Sequence, residues 1–189
     1  MTLEEAVRRI DQAAEEKLTE LDLAGLDLEE LPPKIRNCTQ LETLVLGKRN
    51  EWLGNKLTEF PGAVLQLTNL KILSLSHNQI TSIPEDIGQL SNLTLLDLSH
   101  NQITSIPEML GQLSNLTELR LAGNKITSIP KALGQLSKLE SLYLNNNKIT
   151  SIPEALGQLS KLTWLNLNDN QITSIPEALK QLPRLKIYE

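Results

Sequence analysis

The chain has 189 residues, of which 40 are leucine and only five are aromatic, and its 23 acidic and 18 basic residues leave a formal net charge of −5. A mildly acidic chain offers no basic stripe to displace phosphate counterions, which argues against a nucleic-acid binder. No apolar run approaches the roughly 20 residues that span a bilayer, and a single cysteine, Cys38, excludes an intrachain disulfide or an all-cysteine zinc site.

From the N-terminus, residues 1–17 lie outside any repeated pattern. Thr2 and Glu5 have the spacing of a capping box. Leu3, Ala6, Val7, Ile10, Ala13 and Ala14 follow helical spacing, which predicts an amphipathic helix covering the open apolar end of what comes next. Its polar face is mostly acidic (Glu4, Glu5, Asp11, Glu15, Glu16). Anionic lipid would repel that face, so a membrane-surface role is the weaker reading. The segment also lacks the basic-then-apolar layout of a secretion signal, which points to a cytoplasmic protein.

From Leu18 the sequence repeats. Ile-Thr-Ser-Ile-Pro starts at Ile80, Ile103, Ile126, Ile149 and Ile172, at intervals of 23 residues, and Gly-Gln-Leu-Ser at Gly88, Gly111, Gly134 and Gly157. Seven units fill residues 18–184, opening at Leu18, Leu41, Leu70, Leu93, Leu116, Leu139 and Leu162. The second is 29 residues long, with six extra residues between Gly47 and Asn55. Residues 185–189 begin a truncated eighth, with Leu185 and Tyr188 in its first and fourth positions.

Within a unit, Leu73 and Leu75 alternate with Ser74, the period of a strand with its leucines inward. Pro84 fixes φ and turns the chain along the opposite side. Ile87 and Leu90 return a second apolar edge to the core as a short helical or 3₁₀ turn. No unit can bury its own leucines, so stability comes from stacking neighbours. The reading L-x-x-L-x-L-x-x-N-x-I-x-x-I-P-x-x-L-x-x-L resembles the leucine-rich repeat pattern across Leu18 to Leu185. That resemblance implies an α/β solenoid with a concave parallel sheet, convex short turns and a capping helix. Unit length and the Ile-Pro turn resemble the leucine-rich region of bacterial Roco proteins, which implies an attached GTPase and dimerisation domain. Neither is present in this sequence, nor is a phosphate-binding G-x-x-x-x-G-K-[ST] loop.

Asn78, Asn101, Asn124, Asn147 and Asn170 stand in one column. Their amides both donate and accept, so the column is structural, with each amide satisfying backbone of its own turn and of the adjacent rung. Leu26 holds the place in the first unit. Cys38 falls in a core leucine column and is expected to be a buried, inert thiol. The sequons at Asn37, Asn92 and Asn115 matter only in a secreted chain.

Function is expected where the core imposes no constraint, on side chains facing out of the concave sheet. One column reads Glu20, Thr43, Ile72, Leu95, Glu118, Ser141, Trp164, and the next Asp22, Val45, Ser74, Asp97, Arg120, Tyr143, Asn166. A third reads Gly25, Lys48, His77, His100, Gly123, Asn146, Asp169. The candidates for partner binding are Ile72, Leu95, Glu118, Arg120, Tyr143, Trp164 and Asn166, because apolar, aromatic and arginine side chains gathered on a groove mark interfaces. The insertion adds Lys48, Arg49 and Trp52 as an accessory loop. His77 and His100 should lie close together, but three imperfect ligands with Asp97 do not make a metal site. No nucleophile–base or acid–base pair emerges, so no catalytic residue and no cofactor is expected. The leading expectation is a protein–protein interaction module whose partner is unidentified. The alternative is a structural or self-associating protein, dimerising through the leucine edge at the C-terminal rung.

Overall fold

The computed structural model describes residues 2–48 and 52–189; Arg49 lies outside them. Eight three-residue strands form one parallel sheet in sequence order: β1 (Glu20–Asp22), β2 (Thr43–Val45), β3 (Ile72–Ser74), β4 (Leu95–Asp97), β5 (Glu118–Arg120), β6 (Ser141–Tyr143), β7 (Trp164–Asn166) and β8 (Lys186–Tyr188). The central leucines Leu21, Leu44, Leu73, Leu96, Leu119, Leu142 and Leu165 sit in register and are buried. Short 3₁₀ turns make the convex side: Pro33–Asn37, Gly62–Gln66, Glu85–Gln89, Glu108–Gln112, Lys131–Gln135 and Glu154–Gln158. A four-residue helix, α2 (Glu177–Lys180), takes the seventh place. A proline in extended conformation precedes each one, from Pro32 to Pro176. Its carbonyl accepts the first hydrogen bond of the turn, as Pro84 does from Ile87 at 3.1 Å. The product is the curved solenoid that the repeat implies.

Asparagine amides hold successive rungs together. Asn101 donates through Nδ2 to the carbonyls of Leu75 (2.9 Å) and Leu98 (3.0 Å), and its Oδ1 accepts from the Ile80 N–H (2.9 Å). Leu75 and Ile80 belong to the preceding unit, so one side chain ties two rungs. Asn78, Asn124, Asn147 and Asn170 repeat the arrangement. Asn55 is a further member that unit counting passes over, because the insertion displaces it. It donates to Leu23 and Leu46 and accepts from the N–H groups of Leu26 and Leu28. A second series runs along the other edge of the sheet: Asn69, Asn92 and Asn115 donate to the carbonyls of Thr39, Thr68 and Ser91, each at 2.9 Å.

Helix α1 (Thr2–Glu15) buries Ala6, Ile10 and Ala13 completely. It is fastened to the first unit by Arg9 donating to the Asp22 carbonyl, Gln40 donating to those of Ala13 and Leu18, and a Lys34–Asp11 ion pair at 2.9 Å. Two expectations are corrected. Leu3 is 52% exposed and lies off the buried stripe. Thr2 lies inside the helix, not ahead of it, and Glu5 is engaged by Arg8 and Arg9, so the capping-box spacing has another use. Hydrogen bonds from Arg8 and then Arg9 lower the Glu5 pKa to about 2. Cys38 is fully buried, and burial raises its thiol pKa, with the Asp11 charge adding to the effect.

The convex turns of the third to sixth units close tightly on their successors because glycine faces the next turn. A Cβ at Gly111 would stand 2.4 Å from the Ala132 carbonyl oxygen, and one at Gly134 2.3 Å from that of Ala155. Arg36, Leu65 and Lys180 occupy this position in the other units. Around the turn Gly62–Gln66 the stacking is accordingly looser.

At β8 the sequence register fails by one. Leu185 keeps its place, its N–H bonding the Leu182 carbonyl as Leu162 bonds Leu159. Ile187 then lies opposite Leu165, and Tyr188 opposite Asn166. The unit is one residue short, so the apolar Ile187 turns inward and the phenol of Tyr188 faces out.

Replacing Asn124 by alanine is expected to leave the Ile103 N–H and the Leu98 and Leu121 carbonyls without their amide partner. Urea unfolding should show a loss of about 1–3 kcal/mol or more, while the half-buried Gln102→Ala, which loses only a surface hydrogen bond from Lys125, should stay within about 0.5 kcal/mol.

Candidate functional site on the concave sheet

Strand alternation sends the first and third residue of every strand out of the sheet, and the parallel register aligns them across rungs. Ile72, Leu95, Glu118, Ser141, Trp164 and Lys186 form one row, and Ser74, Asp97, Arg120, Tyr143, Asn166 and Tyr188 the next. Neighbouring strands are about 4.8 Å apart, so side chains along a row touch.

Three zones result. The acidic Glu20 and Asp22 of β1 are exposed, with Asp22 paired to Lys48 at 2.7 Å. An aliphatic zone follows, where Ile72 is 37% exposed and Val45 and Leu95 are half-buried. Arg120 and its partners then separate this zone from an aromatic one. The Arg120 Nε donates to Glu118 Oε1 at 2.6 Å, and its Nη1 lies 3.5 Å from Asp97 Oδ2. Its guanidinium carbon sits 5.8 Å from the Tyr143 ring centroid, within cation–π range. Burial opposes the Arg120 charge, but the Glu118 hydrogen bond and the Asp97 charge more than offset it and hold its pKa above the ordinary value.

Beyond Arg120 the rings continue. The Tyr143 and Trp164 centroids are 6.4 Å apart, and those of Trp164 and Tyr188 4.4 Å. Trp164 Nε1 is buried and has no hydrogen-bond partner among the described residues. The 23-residue period assigns Tyr188 an inward position and so passes over it as a site residue. The apolar Ile187 just before it was the available signal.

Two candidate assignments change. Asp97 is only 2% exposed, with Oδ1 accepting from the Ser99 N–H at 2.9 Å, so the backbone constrains this outward residue. The third column is not free to vary either. Gly25, His77, His100, Gly123, Asn146 and Asp169 all have positive φ, between 54° and 72°, where the chain leaves the strand. Only glycine, asparagine, aspartate and histidine enter this region with any frequency, and these four types are what the column contains. Lys48 does not belong to the column. At Gly54, beside Asn55, a Cβ would stand 1.5 Å from the His77 carbonyl oxygen.

Lys48 and Leu53 form an antiparallel bridge, and Trp52, 74% exposed, reaches the third and fourth rungs. Its ring lies 4.9 Å from that of His77 and 5.5 Å from that of His100, and the two imidazoles stack at 4.4 Å and 12°. Trp52 therefore covers neighbouring rungs and stands apart from Arg120, Tyr143 and Trp164. Among the described residues no three His, Cys, Asp or Glu side chains gather as they would around a metal ion.

This arrangement of rungs defines the class. The family model described as leucine rich repeat matches residues 54–103, 68–126, 91–149, 114–172 and 137–187, and the chain belongs to that family. Among solved structures it is similar to the Leptospira interrogans leucine-rich repeat protein LIC12759, with 41% identity, a TM-score of 0.85, and coverage of 93% of this chain and 45% of that one. It is also similar to the ectodomain of the Arabidopsis thaliana receptor kinase GASSHO1/SCHENGEN3 in complex with CASPARIAN STRIP INTEGRITY FACTOR 2 (38%, TM-score 0.74, 84% and 19%). A third similar structure is the plant peptide hormone receptor RGFR1 in complex with RGF2 (32%, TM-score 0.74, 84% and 25%). The chain thus spans less than half the length of each of these proteins. No curated protein sequence matches it.

Because Asp97 serves the backbone and Ile72 does not, their substitutions should separate. Asp97→Ala is expected to cost about 1–3 kcal/mol in urea unfolding, through the unpaired Ser99 N–H and the lost Arg120 partner. Ile72→Ser, at an exposed outward position, is expected to stay within about 0.5 kcal/mol.

Proposed function

We propose that the chain is a non-catalytic interaction module that recognises a protein partner on the concave sheet. The observation that carries this reading is the cluster of Arg120, Tyr143, Trp164 and Tyr188, a guanidinium and three rings in succession across four strands on the outward face. Aromatic and arginine side chains concentrate binding energy, and rings already packed on one another lose little freedom when a partner covers them. Glu118 fixes Arg120, and Ile72 and Leu95 supply an apolar shoulder on the other side. Two of the similar structures are of plant receptors in complex with CASPARIAN STRIP INTEGRITY FACTOR 2 and RGF2, which supports recognition as the task of this fold.

The likeness to Roco proteins extends the proposal: the face would recruit partners to an attached GTPase in the cytoplasm. The concave-face reading does not depend on that extension. A second reading, self-association, draws on the half-buried Leu182, Leu185 and Ile187 beside β8, an apolar edge that a second copy could cover.

A photoactivatable residue placed at Ser141, between Glu118 and Trp164 in the outward row, tests both readings in lysate of the source organism. Cross-linking to another protein is expected. Combined Arg120→Ala, Tyr143→Ser and Trp164→Ser substitutions should abolish it while leaving the melting temperature within a few degrees. A cross-link that survives the triple substitution would overturn the concave assignment, and adducts containing only this chain would favour self-association.

A further inference from the structure

The convex side carries a groove that the repeat pattern does not call for. It arises where Arg36 replaces the glycine that lets later turns close. With a long side chain there, the turns Pro33–Asn37 and Gly62–Gln66 stand apart, leaving a hollow of about 440 Å³ lined by Glu30, Pro33, Arg36, Phe60, Pro61 and Ala63. A second hollow shares Glu29, Glu30 and Thr58 with the first and extends it to Leu3 and Asp27.

Two properties of this groove select its occupant. The first is apolar exposure: Leu3 is the most exposed aliphatic side chain described, at 52%, and Phe60 is only partly covered. The second is charge. Residues 1–66 contain 13 acidic and 8 basic residues and residues 67–189 ten of each, so the whole net charge of −5 lies in the N-terminal third. Asp27 pairs with Lys56 at 3.4 Å, but among the described residues Glu29, Glu30 and Glu59 take part in no ion pair. Exposed carboxylates alone bind weakly, and an apolar cleft alone does not choose between partners. Together they match a segment that alternates cationic and aliphatic side chains.

We propose that this groove docks a lysine- and arginine-rich segment of a protein partner, its cations on Glu29, Glu30 and Glu59 and an aliphatic side chain seated against Leu3 and Phe60. The site lies on the convex flank, so it stands or falls independently of the concave sheet.

The probe is a fluorescein-labelled hexapeptide, Lys-Leu-Arg-Lys-Leu-Arg, compared with its counterpart carrying serine for leucine, by fluorescence anisotropy on the full chain. The leucine peptide is expected to bind about tenfold more tightly than the serine one, from burial of its aliphatic groups. Glu29→Gln with Glu30→Gln and Glu59→Gln should weaken it about tenfold, whereas Glu15→Gln with Glu16→Gln and Glu20→Gln, equal in charge but outside the groove, should change it by less than about twofold. Arg36→Gly is the sharper variant. It makes the N-terminal third more acidic yet should weaken binding about tenfold, because the turn at Ala63 can then close as the later turns do. Melting curves confirm that each variant folds, and the glutamine sets decide the matter if Arg36→Gly does not. Absence of binding, equal binding of the serine peptide, equal effects of the two glutamine sets, or tighter binding by Arg36→Gly would overturn the proposal.

Discussion

Each strand of this sheet is three residues long, too short to hold a ladder by its own hydrogen bonds, and each unit's leucines are only buried when another unit lies on either side. The buried asparagine amide resolves both problems at once. Placed just past the strand, it donates to the carbonyl of the third leucine in its own rung and in the one before, and accepts an N–H from the preceding unit. Groups that a tight turn would leave orphaned in a dry interior are satisfied, and the rungs are fixed at the spacing that lets Leu73, Leu96, Leu119 and Leu142 stack. That Asn55 holds its place after a six-residue insertion shows how strictly the architecture requires this group.

With the core delegated to leucine and asparagine, the outward rows carry little structural duty, and there the units diverge. The division is not complete. Asp97 satisfies the backbone as well as Arg120, and the column through His77, His100 and Asn146 is restricted by its left-handed backbone. The His77–His100 stack is thereby explained without a ligand: duplication placed histidine twice at a position that tolerates it, and Trp52 covers the pair. What varies without backbone constraint is narrower than the concave face as a whole, and it contains the Tyr143–Trp164–Tyr188 cluster.

Most of the fold was legible because a 23-residue period leaves few ways to bury forty leucines. Strand, turn and asparagine positions all follow from that period. Legibility ended where the period breaks. At β8 one missing residue moves Tyr188 from the core to the surface, which only the pairing of Ile187 with Leu165 reveals. In the first unit, Arg36 for glycine looks like a surface substitution until the packing of Gly111 and Gly134 against the next turn shows what glycine does there. Outward positions carry the least signal, since no period governs them: Arg120 and Trp164 could be named from the sequence, but not the contacts that join them.

On the proposed reading, recognition resides in the aromatic cluster of the concave sheet. Hydroxyl-radical footprinting of the chain, alone and with its cross-linked partner's purified form, measures this most directly, because tyrosine and tryptophan report their own exposure. Oxidation of Tyr143, Trp164 and Tyr188 is expected to fall together on binding, with the convex Met109, 37% exposed, unchanged. Protection of Met109 with the three rings still reactive would contradict it.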